Sequence, residues 1–343
     1  MVLAFERTWL RVLLALATAP MCLADESLLE VTPIAEGLDQ PVGLVVRPAA
    51  LDTRNDQTVD QLFVCEAATG RVLSATIGRN DSADFVPVTM LVDAGGASAA
   101  PTAAWFLDRQ TLLVAVNEAN DQERGIRVLQ ISDGPVAAVT REQQIGELLP
   151  QKAPVLVGSY RSLAAGSRYV YCAFQSVDGG GRLLRARHTA GGVSGLRLLA
   201  TAEGAPDEAA PVALAMNDRG YLVAVYSPID PQAPSQLAFI APELIAGVGL
   251  PVLLDLDLAS VVAISYSPMP RPVERRLYAL AADGLYRIDA AIDERGRSAT
   301  RTTKLAELTD PTAMAFAADG TLYVAVRGSI AAEGSVVRID GEL

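Results

Sequence analysis

Short apolar runs alternate with turn residues along most of the chain, and one of these runs recurs with the same flanks. In residues 310–328, DPTAMAFAADGTLYVAVRG, an apolar segment opened by proline leads through an Asp-Gly turn into a second apolar run. Runs of this length bounded by turn residues predict β-strands joined as a hairpin. The second run recurs at intervals of roughly 45–60 residues, a spacing typical of repeat folds. Its six copies are LFVCE (62–66), LLVAV (112–116), VYCAF (170–174), YLVAV (221–225), LYALA (277–281) and LYVAV (322–326).

The flanks of these runs repeat as well. A proline-led segment precedes the run in four copies, beginning at Pro41, Pro101, Pro211 and Pro311, and the looser versions RSLAAG and VVAISY precede it in the other two. A third run, usually opened by glycine, follows, such as GRLLRA (181–186), and segments such as FVPVTMLV (85–92) and LRLLATA (196–202) supply a fourth. The almost continuous apolar character of the second runs predicts burial on both faces, which radially stacked blades provide. We therefore predict an all-β fold, a six-bladed β-propeller with four-stranded blades.

The two ends of the repeat region complement each other. The last unit stops after its third strand, whereas residues 28–35 resemble the fourth strand of the preceding unit. We therefore expect the N-terminal strand to complete the sixth blade and close the ring. The repeats fill residues 25–343, which we predict to form a single domain.

Residues 1–24 have the layout of a secretory signal peptide. Arg7 and Arg11 precede a short apolar segment, and a small-residue pattern ends at Ala24. This order predicts cleavage after Ala24 and a secreted or periplasmic mature protein. A lipidated Cys22 is the alternative, although the residues before it are not the usual small ones. The apolar segment is too short to span a bilayer.

Charge and cysteine content narrow the possible partners. The chain carries 28 basic and 40 acidic residues, a formal net charge of -12. Nucleic acids and anionic membranes require a basic surface, so we expect neither as a partner. Cys65 and Cys172 fall in the second strands of blades one and three, which are not adjacent. We therefore predict two free, buried thiols rather than a disulfide.

The repeat pattern P-x-A/G-L, D-G-T-L-Y-V-A-V and G-x-V-x-R-I-D resembles the NHL-type repeat. It is also similar to the six-bladed propellers of the gluconolactonase, strictosidine-synthase-like and soluble sugar-dehydrogenase groups. The resemblance covers nearly all of residues 28–343 but consists mostly of residues that build the blades, so it implies fold more than function. The histidine motif of the quinone-dependent sugar dehydrogenases is absent. His188, the single histidine, is expected in a solvent-facing loop, and a histidine-rich zinc site is excluded.

One face of the predicted propeller carries the candidate binding residues. Loops that enter each blade, and loops between second and third strands, should gather there around the central channel. We expect this face to bind a small molecule, a glycan or a protein, with ordinary solvated loops as the alternative. The candidates are Asp39, Glu66, Asn117, Glu118, Asp121, Asp178, Asp310 and Arg327.

Three of these residues suggest a metal site. Glu66, Asn117 and Asp310 resemble part of the inner-rim ligand cluster of metal-dependent lactonases of this fold, and their oxygen atoms suit a divalent cation such as Ca²⁺. Blades three to five, however, offer no matching asparagine. The sequence therefore favours a binding module without evident catalytic machinery. The alternatives are a metal-dependent hydrolase acting on a lactone or related ester, and a purely structural scaffold.

Overall fold

The strands of the chain form six antiparallel sheets arranged as blades around a central channel. The computed structural model describes residues 28–47, 60–77, 82–92, 96, 98–117, 124–134, 136–146, 158–177, 180–189, 192–199, 209–240, 252–268, 276–330, 332–341 and 343. These residues contain 25 β-strands and no helix. The innermost strand of each blade contacts the innermost strand of the next, and the last contacts the first. The predicted six-bladed β-propeller is confirmed.

The strands are numbered in chain order. Blade one comprises β2 (Pro41–Val46), β3 (Asp60–Glu66), β4 (Arg71–Ile77) and β5 (Val86–Met90), and blade two comprises β6 (Ala100–Phe106), β7 (Thr111–Asn117), β8 (Gly125–Ile131) and β9 (Val139–Ile145). Blade three comprises β10 (Gly158–Ala165), β11 (Tyr169–Ser176), β12 (Gly181–Thr189), β13 (Gly192–Val193) and β14 (Arg197–Leu198), and blade four comprises β15 (Ala209–Met216), β16 (Leu222–Pro228), β17 (Ser235–Ile240) and β18 (Val252–Leu256). Blade five comprises β19 (Val261–Tyr266), β20 (Leu277–Ala281), β21 (Gly284–Ile292) and β22 (Ser298–Glu307), and blade six comprises β23 (Pro311–Phe316), β24 (Leu322–Val326), β25 (Gly334–Asp340) and β1 (Glu30–Leu38).

The N-terminal strand closes the ring, as predicted. β1 pairs antiparallel with β25, from Glu30 opposite Asp340 to Leu38 opposite Gly334. It runs to Leu38, three residues past the predicted segment 28–35. The sixth blade is therefore built from the first and the last strands of the fold.

Six apolar clusters form the core, one between each pair of neighbouring blades. The second strand of each blade contributes to the clusters on both of its faces. In β7, for example, Leu113 packs toward blade three, whereas Leu112 and Val114 pack toward blade one. This explains why the second runs are apolar almost throughout. The thiols of Cys65 and Cys172 lie in these clusters, free and buried, as predicted.

Glycines open several third strands because either the neighbouring blade or the fourth strand of the same blade approaches closely there. A Cβ at Gly181 would lie 2.6 Å from the Cα of Ala210, and one at Gly334 would lie 2.7 Å from the carbonyl oxygen of Leu38. Both distances are shorter than a side chain tolerates. The glycine that recurs at the start of the third run is thus required by packing against the next segment.

Two outer strands differ from the sequence pattern. β9 has the polar sequence VTREQQI and is mostly exposed, so its composition did not mark it as a strand. In blade three, the single strand expected within residues 196–202 is replaced by the two-residue strands β13 and β14, which both pair with β12. Outermost strands are covered on one edge only, and apolar patterning is weakest there. Within the described ranges, no helix is long and apolar enough to cross a membrane.

Candidate functional site in the central channel

The inner strands of all six blades enclose a cavity of about 310 Å³ on the propeller axis. Its walls are mainly aliphatic, with Trp105, Phe106, Tyr266 and Phe316 as aromatic members. Burial raises the pKa of Tyr266 to about 12, so its phenol stays protonated at neutral pH. The volume falls within the range typical of pockets that hold small organic ligands.

A ring of structurally equivalent residues surrounds the channel near the start of the inner strands. Every inner strand contains a β-bulge one to three residues after the position that begins its pairing, and a bulge redirects the side chain of the extra residue. The six bulge residues are Val42, Thr102, Arg161, Val212, Val262 and Thr312. All except Val212 line the cavity. Five of the six are uncharged, and blade three alone places a cation in the ring.

Arg161 is the only charged side chain among the described residues that line the cavity. Its Nε donates a hydrogen bond to Oε1 of Gln175, 2.7 Å away at the end of β11. Burial, followed by the charge of Arg327, lowers the pKa of Arg161 from its ordinary value. A guanidinium titrates so far above neutrality that the side chain remains protonated.

Arg327 adds a second cation at the same end of the channel. Arg327 directly follows Val326, and Gln175 directly follows Phe174. Val326 and Phe174 each pair with the residue before the bulge of their blade, so Arg327 in blade six and Gln175 in blade three occupy equivalent positions. Blades three and six face each other across the ring. The Nε of Arg327 lies 3.9 Å from Oδ2 of Asp310, and both side chains of this pair are substantially exposed.

Glu66, by contrast, is held inside a polar cluster at the edge of this face. Its carboxylate is fully buried and accepts hydrogen bonds from the amide of Asp39 at 2.8 Å, from the hydroxyl of Thr69 at 2.7 Å and from Nε of Arg71 at 2.7 Å. Asp39 also accepts bonds from Arg71 and from the amide of Ala332. This cluster joins the loop that enters blade one to the loop between β24 and β25.

Asn117 connects two neighbouring blades. Its Oδ1 accepts a hydrogen bond of 2.9 Å from the amide of Tyr160, and its Nδ2 lies 3.5 Å from the carbonyl oxygen of the same residue. The side chain thereby attaches the end of β7 to the start of β10. The side-chain amide of Asn117 therefore serves the contact between blades two and three.

The predicted metal ligands occupy separate local environments. Glu66 binds the Asp39 loop, Asn117 binds blade three, and Asp310 lies beside Arg327. In the part of the chain that the structure describes, no three His, Cys, Asp or Glu side chains are grouped closely enough to hold a metal ion. Glu118, Asp121 and Asp178 lie outside the described residues. The metal site remains a prediction from the sequence.

The single histidine differs from its expected setting. His188 lies within β12, half-buried and paired with Val193 of β13, rather than in a solvent-facing loop. Its Nε2 is 2.8 Å from the carbonyl oxygen of Gly166. The reason is that β12 extends beyond the predicted residues 181–186, since the short β13 folds back along it.

The sequence reasoning missed Arg161, although a signal for it was present. In blade three the proline-led segment is replaced by RSLAAG, whose first residue is the bulge position. The equivalent positions in the other blades hold Val or Thr. Aligning the six inner segments on the bulge would have shown one charged residue in an otherwise uncharged ring.

Comparison with solved structures identifies propellers of the same kind. A glucose dehydrogenase has a TM-score of 0.57 and 16% identity, with 91% of this chain and 100% of that chain covered. The soluble aldose sugar dehydrogenase of Escherichia coli, in its apo-form, has a TM-score of 0.57 and 14% identity, with 92% and 100% covered. This chain shares the six-bladed propeller fold of these proteins. A gluconolactonase of Xanthomonas campestris shares the fold with a TM-score of 0.54 and 11% identity, with 93% and 94% covered. No protein-family model and no curated protein matches the chain.

Proposed function

We propose that the protein binds a small organic molecule in its central channel. The observation that carries this proposal is the cavity of about 310 Å³, which all six inner strands line with apolar and aromatic side chains, several hydroxyl groups and one cation. A rigid, mostly apolar cavity with few polar groups is the usual form of a small-molecule site. We also propose, from the pattern of residues 1–24, that the protein is exported and acts in the periplasm or outside the cell.

A second candidate is an enzyme that acts on a sugar or a sugar lactone. The specific observation in its favour is the likeness to glucose dehydrogenase and gluconolactonase structures over more than nine-tenths of the chain. None of the described residues that line the cavity is Asp, Glu or His. A general acid or base for such a reaction would therefore come from residues beyond this lining. Ligand binding in the channel needs no such group, and it is the function proposed first.

A substitution in the bulge ring tests the proposal. Val262→Trp should fill part of the channel, whereas Val86→Trp on the outermost strand of blade one adds the same side chain at an exposed position. A library of small sugars, sugar acids, lactones and aromatic acids is screened by thermal shift. We expect at least one compound to stabilise the parent and the Val86→Trp control but not Val262→Trp, because only binding to the folded state raises the melting temperature.

The same library separates the two candidates. Each stabilising compound is incubated with the protein, with and without added Ca²⁺, and the mixture is analysed for product. Binding without turnover supports the proposed function, whereas product formation abolished by Val262→Trp favours the enzyme. If no compound stabilises the parent, or if Val262→Trp responds like the parent, the channel is not the binding site.

A further inference from the structure

The charge in the bulge ring defines the class of ligand, on the assumption that the channel is the binding site. We propose that the channel ligand carries one carboxylate or phosphate group, which Arg161 binds near the mouth, while the rest of the molecule contacts the apolar and aromatic walls. Three features support this ligand class: the terminal nitrogens of Arg161 that no described residue pairs with, the second cation at the same end of the channel, and the apolar walls below the ring.

Arg161 has a neutral partner where a structural arginine would have a carboxylate. Among the described residues, no carboxylate lies within ion-pair distance of it, and its hydrogen-bond partner is the amide oxygen of Gln175. That bond uses Nε and fixes the plane of the guanidinium. Neither of its terminal nitrogens is paired with a described residue. The side chain is exposed toward the channel mouth, so these nitrogens are available for charge-assisted hydrogen bonds to an anionic ligand.

Arg47 shows the contrasting arrangement in the same chain. It is buried between blades one and two, and its guanidinium contacts three main-chain carbonyl oxygens, Gln61 and the carboxylate of Asp133. Every side of that group is therefore used in holding the two blades together. Arg161, by contrast, is exposed at the channel and keeps its terminal nitrogens available to a ligand.

Arg327 strengthens the preference for an anion. Its charge contributes, after burial, to lowering the pKa of Arg161, which is the direction expected for repulsion between two cations. The Asp310 carboxylate, 3.9 Å away and more than half exposed, compensates Arg327 only weakly because water screens exposed pairs. An anion bound between the arginines would relieve this repulsion. The overall charge of -12 disfavours anions elsewhere on the protein, so the preference is local.

The walls beyond the ring determine the rest of the ligand. Carboxylates and phosphates match the planar guanidinium with two parallel hydrogen bonds, which fixes their orientation. Leu44, Leu163, Leu214 and Ile264 line the channel together with Trp105. A compact apolar or aromatic body attached to the anionic group would be buried there. A highly charged ligand would leave its additional charges against an apolar surface.

Trp105 provides a direct readout. The chain contains two tryptophans, Trp9 and Trp105, so a full-length Trp9→Phe background leaves the channel tryptophan as the only indole. Benzoate and phenyl phosphate serve as anionic probes, and benzyl alcohol as the neutral probe of similar size. Binding is measured by fluorescence titration and repeated by calorimetry. The variants are Arg161→Gln, Arg161→Lys and, as a control on the outermost strand of blade five, Arg301→Gln.

The expected result is tighter binding of at least one anionic probe than of benzyl alcohol, by tenfold or more. Arg161→Gln should weaken the anionic probe about 10- to 100-fold, in line with a hydrogen bond between charged groups. Arg161→Lys should retain part of the affinity, Arg301→Gln all of it, and added salt should weaken binding. Whichever of benzoate and phenyl phosphate binds more tightly identifies the anionic group. Unfolding midpoints of the variants verify that each is folded.

Two outcomes would overturn the inference. One is that benzyl alcohol binds as tightly as the anions and Arg161→Gln changes nothing, which would leave a neutral-ligand channel and the proposed function intact. The other is that none of the three probes perturbs Trp105. In that case the anionic class is rejected, and the proposed function is decided separately by the library screen with Val262→Trp.

Discussion

Substitution of Glu66 by alanine distinguishes a structural carboxylate from a metal ligand. Glu66 is fully buried and accepts three hydrogen bonds of 2.7–2.8 Å, one of them from Arg71. Removing one partner of a buried ion pair costs about 3–5 kcal/mol. Because the side chain of Arg71 is 34% exposed and can regain water, we expect the low end of this range, about 3 kcal/mol.

The assay is urea denaturation followed by circular dichroism, with coincident fluorescence transitions to verify two-state unfolding. Glu142→Ala is the matched control, because Glu142 forms an exposed ion pair with Arg127 that should contribute no more than about 1 kcal/mol. Metal content is measured in parallel by elemental analysis after dialysis. If Glu66→Ala unfolds within about 0.5 kcal/mol of the parent, the structural reasoning is refuted. If the parent instead holds one equivalent of a divalent cation that Glu66→Ala lacks, Glu66 is a metal ligand, as the sequence resemblance implies.

Three further predictions concern the blade contacts. Burial raises the pKa of Asp60, which accepts a hydrogen bond from Tyr323 across the junction of blades one and six, so ionised Asp60 lowers stability at neutral pH. This loss of stability disappears as pH falls through the folded-state pKa toward the ordinary value of 3.8. The denaturation midpoint of Asp60→Asn should therefore exceed that of the parent at pH 7 and approach it in acid. A difference between the two midpoints that widens in acid would contradict the assignment. Burial raises the pKa of Cys65 to about 12, so neither it nor Cys172 should be alkylated until the chain unfolds, as mass spectrometry would detect. Asn117→Ala removes the hydrogen bond that Oδ1 accepts from the main-chain amide of Tyr160 and should cost about 1–3 kcal/mol, and an unchanged unfolding midpoint would show that this bridge does not contribute.

Much of the fold could be predicted because the blade interiors impose a strict pattern. A second strand such as Leu322–Val326 packs against both neighbouring blades, so nearly every residue in it is apolar and its copies are easily recognised. Glycines such as Gly181 recur because the next blade leaves no space for a side chain. The outer strand Val139–Ile145 escaped recognition because it is mostly exposed, and exposure removes the constraint on composition.

The site depended on contacts that the local sequence does not encode. Glu66 and Asn117 are the last residues of second strands, and Arg327 directly follows one. The partners of Glu66, however, come from a turn and from the preceding blade linker, and no spacing rule links them. Arg161 became distinctive only when the bulges of all six inner strands were compared. Its significance depends on the ring as a whole and not on its immediate neighbours.

The pairing of the first strand with the last has a consequence for how the protein acquires its structure. The hydroxyl of Thr32 bonds to Asp340, 308 positions later in the chain, whereas the other five blades consist of strands that follow one another. During synthesis those five blades can assemble successively from local hairpins, but β1 has no partner until the C-terminal segment emerges. Contacts between such distant segments form slowly, and an unpaired strand edge invites association with other chains. The final closure of the ring should therefore be both the rate-limiting event of folding and the stage most sensitive to C-terminal truncation.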